Sequence, residues 1–454
     1  VDFTVFLIAL FALQIICLYV GGKASRNMTT QEDYFLAGKS VGFFPLMMTL
    51  VATQIGGGVV MGASEEAFRY GWKVILYPLG QSLGFIVLAL GIGRRLAQLN
   101  VPTVAQLFEV VYRSSYLKKL ASILSMVSLF LIFAAQVIAS KKFMTGLGFD
   151  QNVIFIGFWT IVIVYTVVGG MKAVIATDII QALFFIIVFI AAFLYALATS
   201  PVSIDSIIQT GMNTSAETLG DSKLCGWLLL PLLFTVIEQD MAQRCFSAKN
   251  GKLVTWASAG AAICTFTVCL IPLFFGILAR ASGVQAEQGN SVLMAIIQTN
   301  TTPVLSALMG VAIIAAIIST ADALINAISS NLTQDFELPW FNKKRSVLYS
   351  RGFTCAIAVA GILVSFMFSN VVDLLILSYE LSVSCLFVPI FAALVKRRGN
   401  QLSAILSIAM GALAFFIFRA YPQAIPKEVL SLVLSLAGFV AGEFITQRKE
   451  VEAA

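Results

Sequence analysis

Thirteen runs of mostly apolar residues dominate this chain, each close to the ~20 residues that an α-helix needs to cross the hydrocarbon of a bilayer. They lie near residues 2–21, 42–68, 73–98, 116–144, 151–169, 174–198, 225–246, 252–280, 303–333, 349–369, 373–395, 401–418 and 427–446. Backbone polar groups cannot stay unpaired in hydrocarbon, so runs of this length are expected to be helices. The positive charge near the first run (Lys23, Arg26, Lys39) follows it rather than precedes it. A retained span is therefore expected there, not a cleaved leader.

Composition agrees with the pattern. The chain is 59% hydrophobic and 11% charged, against roughly 45–50% and about 25% in soluble domains. With 29 Lys and Arg against 23 Asp and Glu, the net charge is +6, too little for a surface that tracks a phosphate backbone, and no nucleic-acid partner is expected. Histidine is absent, which removes His-based nucleophile triads, His-zinc sites and histidine proton relays. The seven Cys form no Cys-x-x-Cys pair and are expected to be core thiols.

Placing the first terminus outside puts most basic residues on the cytoplasmic side, including the Lys343-Lys344-Arg345 and Lys396-Arg397-Arg398 runs. Only Arg69, Lys73, Lys141, Lys142, Lys223, Arg280, Arg419 and Lys427 fall outside. Thirteen spans with that asymmetry imply a cytoplasmic C-terminus. A multi-pass protein of a cell inner membrane or plasma membrane follows, with the lipid bilayer as its solvent.

Several features break the rules of a lipid-facing helix. The second span reads Leu50-Val-Ala-Thr-Gln-Ile-Gly-Gly-Gly-Val-Val-Met61. Close helix packing is one use for such glycines, but packing motifs space them a turn apart. A contiguous triplet beside Thr53 and Gln54 suits an unwound segment whose carbonyls bind an ion. Carboxylates within spans (Asp178, Glu238, Asp240, Asp322, Glu380) are functional candidates because they are costly there. Ser319, Asp322 and Asn326 share one helix face. A hard monovalent cation is suited by carbonyls, hydroxyls and one carboxylate, so these residues point to an ion-coupled transporter, with a channel or uniporter left open. An intramembrane aspartyl protease is not expected, since no Gly-x-Gly-Asp element flanks Asp178 or Asp322.

Three motifs resemble the sodium:solute symporter family. Val167-Val-Gly-Gly-Met-Lys-Ala-Val-Ile-Ala-Thr-Asp-Ile-Ile-Gln181 is similar to the family's Gly-Gly-x-x-Ala-Val-x-x-Thr-Asp-x-x-Gln segment. Residues 315–335, with Ser319-Thr320-Ala-Asp322, resemble its eighth core helix, and residues 52–62 its broken first one. The resemblance implies an all-α polytopic membrane protein with a LeuT-type 5+5 inverted-repeat core. It divides the chain into an extra helix and loop (1–41), two five-helix repeats (42–198 and 199–396), and two C-terminal helices with a tail (397–454). It also implies a Na+ site built from the carbonyls of Ala52, Ile55 and Ala316 with the hydroxyls of Ser319 and Thr320. Some members bind a second sodium, for which Asp178, with Ser319 and Asp322, would supply ligands.

The motifs are nearest the high-affinity choline transporter branch. On that resemblance Gln54, Gln81, Phe133 and Glu238 take the places of its aromatic cage, so three of four rings are replaced and choline itself is not expected. Gln54, Gln81, Gln136, Glu238, Gln239, Tyr379 and Glu380 offer amide, hydroxyl and carboxylate partners, with no Lys or Arg expected in mid-span. The expected activity is import of a small polar solute by sodium symport, an amine or amino acid being favoured and a sugar, polyol or organic acid the alternative. Pro78 and Pro231 are expected to kink spans three and seven, and Trp72, Trp227 and Trp340 to anchor at the membrane interface.

Overall fold

The computed structural model describes residues 2–26, 30–99, 101–148, 152–213, 220–284, 291–336, 346–366, 371–396, 399–421 and 425–453. Lys343, Lys344, Arg345, Arg397, Arg398 and Trp340 lie outside the described residues. Among those described the protein is helical throughout, apart from one isolated bridge between Val41 and Ala248.

Helix α1 (Phe3–Ala24) starts where the Asp2 carboxylate accepts from the N–H groups of Thr4 and Val5, satisfying donors that the first turn leaves open. The short α2 (Gln31–Leu36) follows, then α3 (Phe43–Gln54). Backbone geometry breaks at Ile55 (φ −93°, ψ 84°), and the chain resumes through a wide turn over Gly58–Gly62 into α4 (Ala63–Tyr70). Helices α5 (Leu76–Val87) and α6 (Gly93–Gln98) continue it, followed by α7 (Gln106–Val110) and the long α8 (Ser115–Gly146).

Helix α9 runs from Asn152 to Thr199 but is broken at Gly170, where φ is +49°. At 1.5 Å per residue its 48 residues would span about 72 Å, more than two bilayer cores. A Cβ at Gly170 would lie 2.5 Å from the Tyr34 carbonyl, so only glycine admits both the left-handed backbone and this approach of α2. The Tyr34 hydroxyl donates to Val167 O at 3.0 Å, and Lys172 pairs with Asp33 at 2.8 Å, fixing α2 against the break.

The chain goes on through α10 (Ile204–Met212), α11 (Asp221–Ile237) and α12 (Gln239–Ser247), then α13 (Gly251–Ala281) and α14 (Val292–Asn300). Helices α15 (Pro303–Gln334), α16 (Ser346–Ser365), α17 (Val371–Lys396), α18 (Gln401–Ala420) and α19 (Lys427–Ala453) complete it. Helix α15 sits in the centre, packed against α1, α3, α8 and α9. Its residues from Met309 to Asn331 are all buried. Large apolar side chains on the outside, such as Ile8, Ile15, Ile187 and Leu363, are exposed, as a surface solvated by lipid requires.

By length and hydropathy ten described helices can cross a membrane, or eleven when α11 and α12 count as one bent span. The expectation was thirteen. The difference arises where residues 151–198, expected as two spans, form one run broken at Gly170, and where the expected single span 42–68 divides at Ile55, its second half merging with the third. Pro231 does not interrupt α11; the break falls at Glu238, where α12 turns away by 43°. Trp227 is buried beside Tyr70 rather than placed as an interfacial anchor. Four Cys are buried, but Cys225 and Cys264 are half-buried and Cys355 is exposed.

Candidate ion and substrate site

Two helix breaks, at Ile55–Gly57 and at Glu238, face one central cleft. Thr53, Gln54, Gly56, Gln136, Glu238, Asp240, Thr320 and Tyr379 line it, and its free volume is about 20 Å³, room for roughly one water. Beyond it opens a vestibule of about 370 Å³ bordered by Glu66, Lys223, Trp227, Glu380, Lys427 and Glu428. Gly58, Tyr77, Leu375 and Tyr379 border both spaces. The hydroxyls of Tyr77 and Tyr379 are 3.3 Å apart, and the Tyr379 ring leans on Phe234 at 4.5 Å. These aromatic groups therefore form the partition between vestibule and cleft.

The Ser319 hydroxyl donates within reach of Ala52 O (2.9 Å) and Ala316 O (3.0 Å). Thr320 Oγ1 lies 3.0 Å from Thr53 O, 3.4 Å from Ala52 O and 3.2 Å from Ala316 O. Ile55 ends α3: its N–H donates to Val51 O at 3.1 Å, while its backbone angles take its own carbonyl out of the helical ladder. Four of the five oxygens expected to bind Na+, from Ala52, Ala316, Ser319 and Thr320, are thus gathered where α15 meets the end of α3. Each hydroxyl has one proton to share among several carbonyls, and a cation would accept lone pairs from hydroxyls and carbonyls together. That donor set suits a hard monovalent ion.

Gln136 Oε1 accepts from the Gly57 N–H at 2.7 Å, satisfying a donor freed by the break. A Cβ at Gly56 would come within 2.6 Å of Thr320 Oγ1 and 2.9 Å of Gln136 Oε1, so α3 approaches α8 and α15 this closely because the residue is glycine. The glycine triplet serves unwinding and close packing at once. Gln54 Oε1 is buried without a hydrogen-bond partner among the described residues, and Glu238, the hinge between α11 and α12, is 7% exposed.

Other expected site residues lie elsewhere. Phe133 packs edge-on against Trp159 at 6.0 Å and against the α16 backbone near Gly361; Ile132 and Gln136 present α8 to the cleft instead. Gln239 clamps the segment before α7, accepting from the Val104 N–H at 2.7 Å and donating to Pro102 O at 3.2 Å. Gln81 is fully buried on α5 and does not border the cleft. Glu380 pairs with Arg419 at 3.0 Å and with Lys427, so it belongs to the vestibule wall.

The two acids expected at a second sodium have separate partners. Asp322 accepts from the Tyr165 hydroxyl (2.7 Å) and from Thr166 (2.6 Å). Asp178 accepts from Thr49 and pairs with Arg244 Nη2 at 3.0 Å, both charged side chains being fully buried. Arg244 was expected at a cytoplasmic boundary with no cation in mid-span; instead the bend at Glu238 carries it inward. Sequence reasoning also missed Tyr77, Tyr165 and Thr166. An arginine four residues after Asp240 within an apolar run was the available signal.

A sodium:solute symporter family model matches residues 34–411 of the chain. The chain is 26% identical over 323 residues to a sodium/pantothenate symporter of Haemophilus influenzae, covering 67% of this chain and 66% of that protein. It is 29% identical over 201 residues to the human sodium/iodide cotransporter, covering 43% of this chain and 30% of that one. The alignments thus span less than two thirds of these relatives' lengths. The fold resembles that of a Na+-coupled sialic acid symporter in a substrate-bound, outward-open state, with a TM-score of 0.81, 18% identity and 96% of each chain covered. The architecture is the LeuT-type all-helical one, and the helices are those of a multi-pass membrane protein. With most of its length, from α2 to α18, matched by one family model, this chain belongs to the sodium:solute symporter family.

Proposed function

We propose that the protein is a sodium-coupled symporter that imports a small polar organic solute by alternating access. The observation that carries this reading is the convergence of Ser319 and Thr320 on the Ala52 carbonyl at the broken end of α3, with Thr320 also bordering the central cleft. Sodium bound by Ala52, Ile55, Ala316, Ser319 and Thr320 would hold α3 against α15 and favour the state whose cleft accepts solute. Such linkage raises solute affinity by the same factor as the solute raises sodium affinity. Loss of sodium to the cytoplasm frees α3 to move and releases the solute inward.

The favoured substrate is an amine or amino acid. Glu238 and Asp240 border the cleft with the amides of Gln54 and Gln136, and among the described residues no basic side chain borders it. Tyr379 completes the cleft on the vestibule side. The N-terminus is assigned outside and the C-terminus to the cytoplasm, with repeats at 42–198 and 199–396. In keeping with that assignment, Lys223 and Lys427 meet at the vestibule, while Lys172 and Lys118 pair with Asp33 and Glu109 away from it.

The test is a thermal-shift screen of the purified protein with amines, amino acids, sugars, polyols and carboxylates, with and without sodium. An amine whose stabilisation vanishes without sodium, and in Glu238→Gln, is the expected result. A sugar or carboxylate doing so would replace the substrate class. Sodium-independent binding with only downhill flux in vesicles would overturn symport in favour of a uniporter or channel.

A further inference from the structure

The ends of α6 and α17 meet α7 around another open cavity, of about 570 Å³, away from the cleft and the vestibule. Two arginines, Arg95 and Arg113, and the amide of Gln98 line it, and its other walls are apolar, Leu99, Val110 and Val395 among them. Among the described residues no carboxylate lines it; Glu109, the acid of α7, is held by Lys118 at 2.6 Å.

Both arginines are fixed by their surroundings. Arg95 Nη1 donates to Leu394 O at 2.7 Å and to Val395 O, capping carbonyls that the last turn of α17 leaves open. Its Nε and Nη2 groups keep their donors free of partners among the described residues. Arg113 stands between two buried neighbours: Tyr112 donates to Pro389 O at 2.5 Å, and Ser114 Oγ accepts from the Leu117 N–H at 3.3 Å as the cap of α8. The Arg113 side chain itself is exposed and forms no ion pair among the described residues. Its backbone is left-handed, with φ +54°, a conformation that costs any residue but glycine. Val110, Tyr116 and Leu90 are exposed nearby in sequence, so the cavity opens where apolar, lipid-facing surface gives way to charge.

We infer that this cavity holds the phosphate of an anionic phospholipid of the cytoplasmic leaflet between Arg95 and Arg113, with the glycerol and upper acyl carbons on the apolar walls. The leaflet rests on the topology proposed above. Guanidinium forks match phosphate oxygens, and a basic pocket between helix ends on the cytoplasmic side is suited to an anionic headgroup. A soluble anion would use the arginines alone, whereas a lipid uses the apolar walls as well. Bound there, the lipid braces α6 and α7 against the end of α17, the helix that carries Leu375 and Tyr379 to the cleft.

The test is the thermal stability of the purified full chain in neutral detergent, titrated with phosphatidylglycerol, with phosphatidylcholine of the same acyl chains, and with inorganic phosphate. Phosphatidylglycerol is expected to stabilise at a concentration about tenfold below that of phosphatidylcholine, and inorganic phosphate at matching concentrations not at all. Arg113→Gln is expected to abolish that preference while leaving the sodium-induced shift unchanged. Equal midpoints for the two lipids, or a folded Arg113→Gln that keeps the preference, would overturn the site, and an equal shift with inorganic phosphate would make it one for a soluble anion. Should Arg113→Gln fail to fold, Val110→Glu, which places a negative charge at an exposed edge of the cavity, carries the test with the same expected loss. The leaflet is read separately with Arg113→Cys and a membrane-impermeant maleimide. Labelling above the wild-type background is expected only after the cells are opened; labelling of intact cells would overturn the leaflet and the proposed topology together.

Discussion

Thr320 Oγ1 lies 3.0 Å from the carbonyl oxygen of Thr53, a residue 267 positions earlier in the chain. The contact joins the centre of α15 to the last turn of α3, just before the glycine triplet releases that helix. Removing the hydroxyl takes away about one net hydrogen bond, on the order of 1 kcal/mol of stability, but also one of the five proposed sodium ligands. Thr320→Ala is therefore expected to melt within a few degrees of wild type while the sodium concentration for half-maximal stabilisation rises about tenfold, since tenfold corresponds to ~1.4 kcal/mol. A sodium titration of the melting temperature measures both. An unchanged midpoint would remove Thr320 from the site.

Gln136 accepts from Gly57 N–H where the helix has no acceptor of its own to offer. Gln136→Leu leaves that buried donor unpaired, and a loss of roughly 1–3 kcal/mol is expected. Gln136→Glu keeps an acceptor oxygen and should restore part of the loss. Chemical or thermal denaturation of the two variants side by side distinguishes a hydrogen-bond role from simple volume, for which Leu and Glu would rank the other way.

Asp335 caps the end of α15, outside the spanning segment, and accepts from Thr103 (2.5 Å) and Ser122 (2.7 Å). Burial pushes its carboxyl up to about 6, against the opposing hydrogen bonds from Thr103, Ser122 and Gln106 and the charge of Lys118. A raised folded-state value means that the folded protein binds the proton more tightly than the unfolded chain does. The associated stability is fully present below the ordinary carboxylate range and is lost as pH rises through about 6. Asp335→Asn should flatten that part of the profile, removing a decline on the order of 1–3 kcal/mol between pH 4 and 7. Melting temperatures across that range check the sign: a wild-type profile that rises there through this residue would contradict it.

The proposed ion site was suggested by the family resemblance, and fixed short spacings on two segments agree with it. Ala52 and Ile55 bracket one turn, Ala316, Ser319 and Thr320 another, and the glycines announce the break between helical halves. The cleft was legible only in part. Gln239 and Gln136 are the same residue type in similar runs, yet one clamps Val104 and the other holds Gly57. A single position on a helix turns the side chain by about 100°, which is why Ile132 borders the cleft while Phe133 meets Trp159. Arg244 stood visibly four residues after Asp240, but its depth was hidden for a different reason. Its depth follows from the 43° bend at Glu238, a long-range packing outcome that no local pattern encodes.

The first and last glycines of the triplet should fail in different ways. A Cβ on Gly56 would press within 2.6 Å of Thr320 Oγ1 and 3.0 Å of its Cβ, atoms held by three carbonyls and unable to retreat. Gly56→Ala is therefore expected to weaken the sodium response at least tenfold. On Gly58 the same atom would come within 2.2 Å of Leu375 Cδ1, the far end of a flexible side chain between vestibule and cleft. Rotation of Leu375 can relieve that overlap, since rotamer changes cost little where space allows. Gly58→Ala should leave sodium-induced stabilisation close to wild type and alter solute uptake alone, and Leu375→Ala in the same chain should restore the uptake. If both glycine variants lost sodium binding equally, the separation of the ion site from the passage above it would be wrong.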